Sequence, residues 1–361
     1  MLFDCILLIN FKYIKAERSE AAIFRILKGN KSIQTVQDIH IYKLEKFYEI
    51  GSFLSKKQFD KRIETLRTDK LLKKQDSNNH YYAVTEKGLN WLDKHQSNVS
   101  INYFNGFRFH QIAANFYNRL VLLIQTLTNS KMNNFSFIPV IGNHSTENWV
   151  RLFYRKTCNR QLEILGALYK ELSQLLSHCS EKESEIFVDR LSGYNVYGLS
   201  IDQLATQYQH ENEDIRLMLT GIVHHMLSIV ESRVNTFPLM THMMQDLKSN
   251  SNLSNSAKVT RRLLNEKYTI SQIARKRQLK DNTIYDHVVE IAYNDDEFPI
   301  SDYVPKNKQD TIIKAINHSQ SYKLKQIKSE LGYEFSYFEI RLILAAYRNF
   351  AEIGDKDVRK S

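Results

Sequence analysis

Residues 269–289 combine two short amphipathic helix patterns with a turn between them, and this stretch restricts the fold more than any other part of the sequence. The first pattern begins at Thr269, whose hydroxyl is placed to cap a helix, with Gln272 reaching back to complete a capping box. Apolar residues then recur at helical spacing until a short turn begins at Gln278. The stretch therefore opens with a short helix whose two ends can be read from the sequence.

The second pattern begins at Asp281, a residue type that favours helix N-caps. Ile284, Val288 and Val289 give it a buried face at 3.6-residue spacing. We predict that its outer face carries Asn282, Thr283, Tyr285 and His287. Two helices joined in this way form a helix-turn-helix, in which the second helix enters the major groove of DNA.

Positive charge is concentrated around this motif. Residues 258–280 hold eight Lys and Arg residues against one acid, Glu266, which gives +7 in a chain whose net charge is +10. A basic cluster that coincides with a helix-turn-helix indicates nucleic-acid binding, although helical units of this kind also dock proteins and charge runs are often solvated. The DNA-facing set that we predict is Arg261, Arg262, Arg275, Lys276, Arg277, Lys280, Asn282, Thr283, Tyr285 and His287.

Glycine and proline are scarce, at 11 and 4 of 361 residues, and alternating strand patterns are nearly absent. These features predict a mainly α, multi-domain protein. No apolar run approaches the roughly 20 residues that a membrane span needs. The opening segment LFDCILLINF is predicted to be a buried first helix rather than a signal peptide, because Asp4 interrupts it. Three cysteines without redox or metal spacing favour a cytoplasmic protein, here expected to associate with the nucleoid.

Residues 1–95 are predicted to form a winged-helix-like domain. A basic amphipathic helix over about 55–70 precedes a polar turn, a strand near Tyr82 and a helix that restarts near Thr85. The helix would be the recognition helix, and the region around Ser77 to His80 the wing. Eight cations against three acids over 56–74 make this a possible second DNA surface or partner-docking surface. Its candidate residues are Lys56, Lys57, Lys61, Arg62 and Arg67.

Three further segments follow along the chain. Residues 100–247 are predicted to form a helical middle domain, in which Ser200 caps a possible third, degenerate helix-turn-helix with a mostly apolar second helix. Residues 248–257 are rich in Ser and Asn and predict a flexible linker. Residues 258–351 would then form a tethered helix-turn-helix domain that is free to reorient, and the tail after it is expected to be disordered.

The sequence contains no motif that indicates catalysis. LKGNKS at 27–32 lacks the spacing of a phosphate-binding loop, and His224 and His225 are adjacent, so they diverge on a helix. The acidic run at 294–297 has no partner carboxylate at helical spacing. Cys158 and Cys179 have no base visible in the sequence. We therefore predict no catalytic residues, no metal site, no cofactor and no small-molecule substrate.

The C-terminal segment resembles the helix-turn-helix module found at the end of some RecQ-type helicases. The resemblance rests on SQIARKR, on LKDNTIYDH at 279–287, and on SYKLKQIKSELG followed by FSYFEIRLILAAY. With the N-terminal stretch ERSEAAIFRILKGNKSIQTVQDIHIYKLEKFY, the whole chain resembles the YpbB-like proteins of low-GC Gram-positive bacteria. The gene of that family lies beside the gene of a short RecQ-like helicase. The resemblance therefore implies a DNA-binding partner of such a helicase, and it implies no catalytic residues.

Three classes of function remain open at this point. The first is a non-enzymatic DNA-binding accessory protein of a RecQ-type helicase, acting in DNA repair or recombination. The second is an autonomous transcriptional regulator, although no heptad pattern for a dimer seam is visible. The third is a protein-interaction scaffold whose positive charge is incidental.

Overall fold

The computed structural model describes residues 1–75, 80–98, 100–157, 159–247, 253–295, 297–319 and 321–346. These residues form nineteen α-helices, four short 3-10 helices and one two-stranded antiparallel ribbon. The prediction of a mainly α, multi-domain protein with a C-terminal helix-turn-helix is therefore confirmed. The predicted linker residues 248–252, residues 77–79 of the predicted wing, Cys158 and the tail lie outside the described residues.

The N-terminal elements, to residue 109, are α1 (Leu2–Ile14), α2 (Glu20–Lys28), α3 (Ile33–Ile41), α4 (Lys56–Thr68), β1 (Leu72–Lys74), β2 (Tyr82–Val84), α5 (Glu86–His95) and α6 (Gly106–Phe109). The helices that follow are α7 (Ala113–Lys131), α8 (His144–Lys156), α9 (Gln161–Leu176), α10 (Glu181–Asp189), α11 (Ile201–Tyr208), α12 (Asn212–Ser232) and α13 (Pro238–Gln245). The C-terminal helices are α14 (Asn255–Asn265), α15 (Ile270–Arg277), α16 (Asp281–Asn294), α17 (Lys306–Ser319), α18 (Leu324–Leu331) and α19 (Tyr337–Ala346).

The chain divides into two compact units. The first contains residues 1–7, 46–62 and 89–250, and the second contains 8–45, 63–88 and 251–361, each as far as it is described. The first unit has its core among α7, α9, α12 and α13, where Phe116, Leu175, Ile222 and Met240 are buried. Each unit is therefore assembled from three separate stretches of chain.

This division differs from the predicted order of consecutive domains at 1–95, 100–247 and 258–351. The C-terminal helices pack on an N-terminal one within the second unit, where α16 lies against α3. The ring of His40 stacks on the ring of Tyr293, with centroids 4.8 Å apart. The residues after 252 are also unlike a linker, because Leu253 is buried and α14 already begins at Asn255. The described C-terminal segment is therefore part of a larger packed unit.

The N-terminal segment contains the helix, ribbon and helix order expected of a winged helix. Leu72 pairs with Val84 and Lys74 with Tyr82, so the ribbon is antiparallel. The prediction found β2 but gave no strand at the residues of β1. α5 starts after Thr85, whose Oγ1 donates to the carbonyl of Lys70 and accepts from the N–H of Gly88. A Cβ at Gly88 would lie 2.3 Å from the carbonyl oxygen of Leu71, which explains the glycine there.

The first helix is enclosed, as its sequence predicts. In α1 the residues from Leu2 to Phe11 are buried, as is Ile14. This part of the helix is apolar on nearly all sides because it has no solvent face, whereas Lys12 and Tyr13 near the end of the helix are exposed. None of the helices in the described part of the chain combines the length and the apolar character that a membrane crossing requires.

Candidate nucleic-acid interface

Helices α14, α15 and α16 pack on one another as a three-helix group. Ser254 caps α14, since its hydroxyl accepts from the N–H of Ala257 at 3.1 Å. The same residue joins α14 to α16, because its own N–H and hydroxyl donate to the Glu290 carboxylate. Burial raises the pKa of Glu290, and the hydrogen bonds from Ser254 oppose that shift. These contacts fix the first helix of the group against the third.

The helix-turn-helix has the start that the sequence predicts. Thr269 Oγ1 accepts from the N–H of Gln272 at 3.3 Å, and Gln272 Oε1 accepts from the N–H of Thr269 at 2.9 Å. The capping box is thus confirmed, and it satisfies backbone donors that the first turn leaves free. α15 ends at Arg277, and its C-cap Gln278 has a left-handed conformation with φ 53° and ψ 42°. This turn redirects the chain within three residues.

The start of α16 differs from the prediction by one residue. Lys280 is the N-cap and has no side-chain capping bond, whereas Asp281 is the first residue of the helix. The Asp281 carboxylate accepts from the hydroxyl of Ser271 on α15, at 3.2 Å. An acid in the first turn also interacts favourably with the helix dipole. Asp281 therefore ties the two helices of the motif together instead of capping the second.

The buried face of α16 contains Ile284, Val288 and Val289, as predicted. His287 was predicted on the outer face, and this was wrong because its side chain is buried. Its Nδ1 lies 2.9 Å from the hydroxyl of Thr260 on α14. Burial and the neighbouring Arg277 guanidinium lower the pKa of His287, which favours the neutral ring. His287 holds α14 against α16 and does not face DNA.

Arg277 also has an internal role. Its guanidinium donates to the carbonyl and the hydroxyl of Ser256, at 2.9 and 2.8 Å, and to the hydroxyl of Thr260. The side chain is half-buried, and burial lowers its pKa. These bonds join the end of α15 to α14, so the predicted place of Arg277 on the DNA-facing surface needs correction.

Two more members of the predicted set are engaged within the unit. The ring of Tyr285 lies 4.3 Å from the ring of Phe338 on α19, measured between centroids. Arg261 forms a 2.6 Å ion pair with Asp295, and about 39% of its side chain is exposed. Tyr285 is therefore mainly a packing residue, whereas Arg261 keeps part of its surface in solvent.

The other members of the set have side chains that reach solvent. Arg275, Lys276, Lys280 and Asn282 are exposed, and Thr283 is half-buried at the same end of α16. Arg262 has 72% of its side chain exposed and only a distant partner, Glu266, at 3.9 Å. We define the tip surface as Arg262, Lys267, Arg275, Lys276, Lys280, Asn282 and Thr283.

Tyr268 was not predicted as a site residue, and it positions the Lys276 ammonium of the tip surface. The Lys276 ammonium lies 4.3 Å from the centroid of the Tyr268 ring and donates to its hydroxyl at 3.1 Å. A cation over an aromatic face is attracted by the ring quadrupole. The two residues are eight positions apart on different elements, so helical spacing gives no signal for the pair.

Only the beginning of α16 is open to a large ligand. Its later residues Ile291, Ala292 and Tyr293 are buried, and Arg341 of α19 pairs with Asp286 at 2.6 Å. In helix-turn-helix proteins the N-terminal residues of the second helix contact base edges, while the first helix crosses the backbone. The tip surface can make both contacts, with the cations of α15 on phosphates and Asn282 near bases.

The second candidate surface, on α4, is less available. Arg62 donates to both carboxylate oxygens of Asp4, at 2.5 and 2.6 Å, and to Glu211 at 2.9 Å. Lys56 is paired with Asp60, and Arg67 with Glu64. Lys57 and Lys61 are exposed. Because Arg62 is fixed in an internal ion-pair network, it cannot also contact phosphate without giving up its ion pairs with Asp4 and Glu211.

The α11–α12 segment repeats the geometry of α15–α16. Ser200 forms a capping box with Gln203, and nine positions later Gln209 adopts φ 55° and ψ 48°, as Gln278 does nine positions after Thr269. In both cases the next helix begins three residues further on. Here, however, the tip contains Glu211, Glu213 and Asp214, and much of α12 is buried. The prediction of a helix-turn-helix at this place agrees with the geometry, but its acidic tip does not suit DNA.

Comparisons with known proteins agree with this arrangement. A family model described as a helix-turn-helix domain matches residues 256–344, the segment that carries the tip surface. Over 345 residues the chain is 28% identical to Protein YpbB of Bacillus subtilis (strain 168), covering 95% of this chain and 96% of that protein. This chain is therefore similar to Protein YpbB over nearly its whole length and contains a C-terminal helix-turn-helix domain. No solved structure matches it.

The described residues contain no group of three or more His, Cys, Asp or Glu side chains that could hold a metal ion. Cys5 is buried, and burial raises the pKa of its thiol to about 12. Cys179 is half-buried, and burial raises its pKa to about 11. The helix-turn-helix domain, rather than a reactive side chain, is therefore the feature on which a functional assignment rests, and it supports DNA binding.

Proposed function

We propose that this protein is a non-enzymatic, DNA-binding accessory protein of a RecQ-type helicase, acting in DNA repair or recombination. The observation that supports DNA binding most directly is the tip surface, whose exposed cations include Lys280 at the start of α16 and Arg275 and Lys276 in the last turn of α15. The cations attract phosphates of any sequence, and Asn282 and Thr283 are the residues placed to meet base edges.

The helicase partner is supported by the sequence of the C-terminal domain. The segments that resemble the terminal module of RecQ-type helicases include α15 and α16 and continue through α18 and α19. A helicase that lacks such a module would gain a domain that binds duplex DNA by binding this protein. The proposal therefore assigns the DNA contact to this chain and the motor to its partner.

DNA binding can be tested by its dependence on salt. If four or five phosphates are contacted, the log-log slope of affinity against salt should be roughly −4, because each neutralised phosphate contributes about −0.9. Replacing Arg275, Lys276 and Lys280 together by Ala should reduce the slope by about 2.7. Fluorescence anisotropy with a labelled duplex measures both slopes.

The control removes the same charge elsewhere. Arg151, Arg155 and Lys156 are exposed on α8 in the other unit. Their triple Ala variant should bind DNA with the slope of the unmodified protein. Equal loss in the two triple variants, or affinity that does not change with salt, would contradict a specific contact at the tip surface.

The helicase partnership needs a separate experiment. The RecQ-type helicase of the same organism should bind the purified protein and unwind a forked duplex faster in its presence. The triple Ala variant of the tip surface should still bind the helicase but fail to stimulate it. Binding to promoter DNA without any effect on a helicase would favour the alternative function, an autonomous transcriptional regulator.

A further inference from the structure

The first unit contains a cleft that DNA binding at the tip surface does not use. The cleft has a volume of about 360 Å³ and is lined by residues 48–53, by α7 and α12, and by Arg190 and Ile201. This size lies within the range of about 300 to 1,000 Å³ that is usual for small-molecule sites. All of its lining residues belong to one unit. The polar groups of the cleft indicate what it could hold.

Two arginines line the cleft, and neither has an acidic partner among the described residues. Arg216 is exposed on α12, and its guanidinium lies 5.5 Å from the centroid of the Phe53 ring. Arg190 is half-buried and donates from Nη1 to the carbonyl of Leu199 at 2.9 Å, which leaves its other N–H groups available. Stacking orients one guanidinium and a backbone bond orients the other, so both are arranged in advance for an anion.

His224 lies at the wall of the same cleft and is 97% buried. The N–H of Asn105 donates to its Nδ1 at 3.2 Å, so that nitrogen carries no proton and Nε2 must be the protonated one. Burial lowers the pKa of His224 to about 4, which keeps this neutral form at ordinary pH. Among the described residues Nε2–H has no acceptor. A ligand in the cleft can supply an acceptor for this N–H.

The remaining lining residues provide two kinds of surface. Phe53, Ile201, Leu219 and Val223 provide flat or apolar surface, whereas the two guanidinium groups provide positive charge. Glu49 is the carboxylate in the lining, and it can accept hydrogen bonds from hydroxyl or amino groups. The arrangement suits a ligand with a planar ring, hydroxyl or amino groups, and an anionic group at one end.

We propose that this cleft binds a nucleoside phosphate. Its phosphate contacts Arg190 and Arg216, its base lies against Phe53 and the apolar wall, and His224 donates a hydrogen bond to it. The nucleotide can be free in solution or can be the 5′-phosphorylated end of a strand, since the recognised chemistry is the same. This site does not depend on the tip surface.

Isothermal titration calorimetry of the full chain tests the proposal with AMP, GMP, CMP and UMP, and with the corresponding nucleosides. At least one monophosphate should bind at least about tenfold more tightly than its nucleoside, because its phosphate adds charge-assisted hydrogen bonds to the arginines. Arg216→Ala should weaken that binding about tenfold. Ala114→Phe should abolish it, since Ala114 is exposed at the cleft and the larger ring would fill it.

The matched control is Arg151→Ala, which removes an exposed arginine of the same unit outside the cleft. It should bind nucleotides as the unmodified protein does, and thermal unfolding should show that all variants are folded.

A 5′-phosphorylated trinucleotide, tested in the triple Ala variant of the tip surface, separates the two ligand sources. If the trinucleotide competes with the mononucleotide for the cleft, the site recognises strand ends. If it does not compete, the site recognises free nucleotides. No binding of any monophosphate at millimolar concentration, or unchanged binding by Arg216→Ala and Ala114→Phe, would overturn the proposal.

Discussion

Arg275 and Arg277 lie two residues apart on the same short helix and belong to different parts of the molecule. Arg275 is exposed at the tip surface, whereas Arg277 donates three hydrogen bonds to Ser256 and Thr260. Residues two apart on an α-helix point in directions that differ by about 200°, so one can face solvent while the other faces α14. Charge alone therefore does not assign a residue to the interface.

We expect the two arginines to respond differently to substitution. Arg277→Ala should lower the free energy of unfolding by about 1 to 3 kcal/mol, because it removes hydrogen bonds from a charged group and leaves the Thr260 hydroxyl with fewer partners. Arg275→Ala should change stability by less than about 0.5 kcal/mol and weaken DNA binding. Chemical denaturation followed by circular dichroism, together with anisotropy on the folded variants, measures both effects. Equal loss of stability in the two variants would place Arg275 inside the unit.

The sequence predicted part of this residue-level pattern. Ile284, Val288 and Val289 were assigned correctly to the buried face of α16 because their spacing follows the helical period. His287 is three positions after Ile284, so the same period also places it near that face, and its polarity led to the wrong assignment. The packing of Tyr285 on Phe338 joins residues far apart in sequence, and no local pattern reveals it.

At the scale of elements, the protein uses one turn geometry twice with opposite charge. The α15–α16 tip has Lys280 and Asn282, where the α11–α12 tip has Glu211 and Glu213. The acidic tip is engaged by α4, since Arg62 binds Glu211 and Gln58 donates to Glu213 at 2.8 Å. The shared capping boxes could be read from the sequence. The acidic tip's role in binding α4 could not, because it depends on how distant helices pack.

The two capping boxes provide a paired test at this scale. Thr269→Ala and Ser200→Ala should each cost about 1 kcal/mol of stability, since each removes the hydroxyl that accepts from the N3 backbone. Only Thr269→Ala should also weaken DNA binding, because only α15 supports the cations of the tip surface. Denaturant titrations and anisotropy measure the two quantities. If Ser200→Ala weakened DNA binding as much, the two motifs would not be functionally distinct.

At the scale of the whole molecule, the two units are interleaved along the chain. The sequence indicated a boundary before α14, where Ser and Asn residues crowd, and the helix-turn-helix itself was found correctly. No pattern in the sequence indicated that residues 8–45 pack with the C-terminal helices, because such packing depends on contacts across more than 200 positions. Local periodicity identifies which faces are apolar, whereas the choice of partner for each face is set by the complete fold.

This arrangement predicts that the helix-turn-helix domain depends on the N-terminal part of the chain. A fragment of residues 253–346 lacks α3, so it exposes the face of α16 on which His40 stacks against Tyr293. Tyr293 is about 1% exposed in the full chain, and uncovering an aromatic side chain costs about 1.5 to 3 kcal/mol. We expect faster amide hydrogen exchange over residues 284–293 in the fragment than in the full chain, measured by mass spectrometry, and weaker DNA binding as a result. A fragment that includes residues 8–45 on a flexible linker should recover part of the protection. Equal exchange in the short fragment and the full chain would instead support the independent, tethered domain that the sequence predicted.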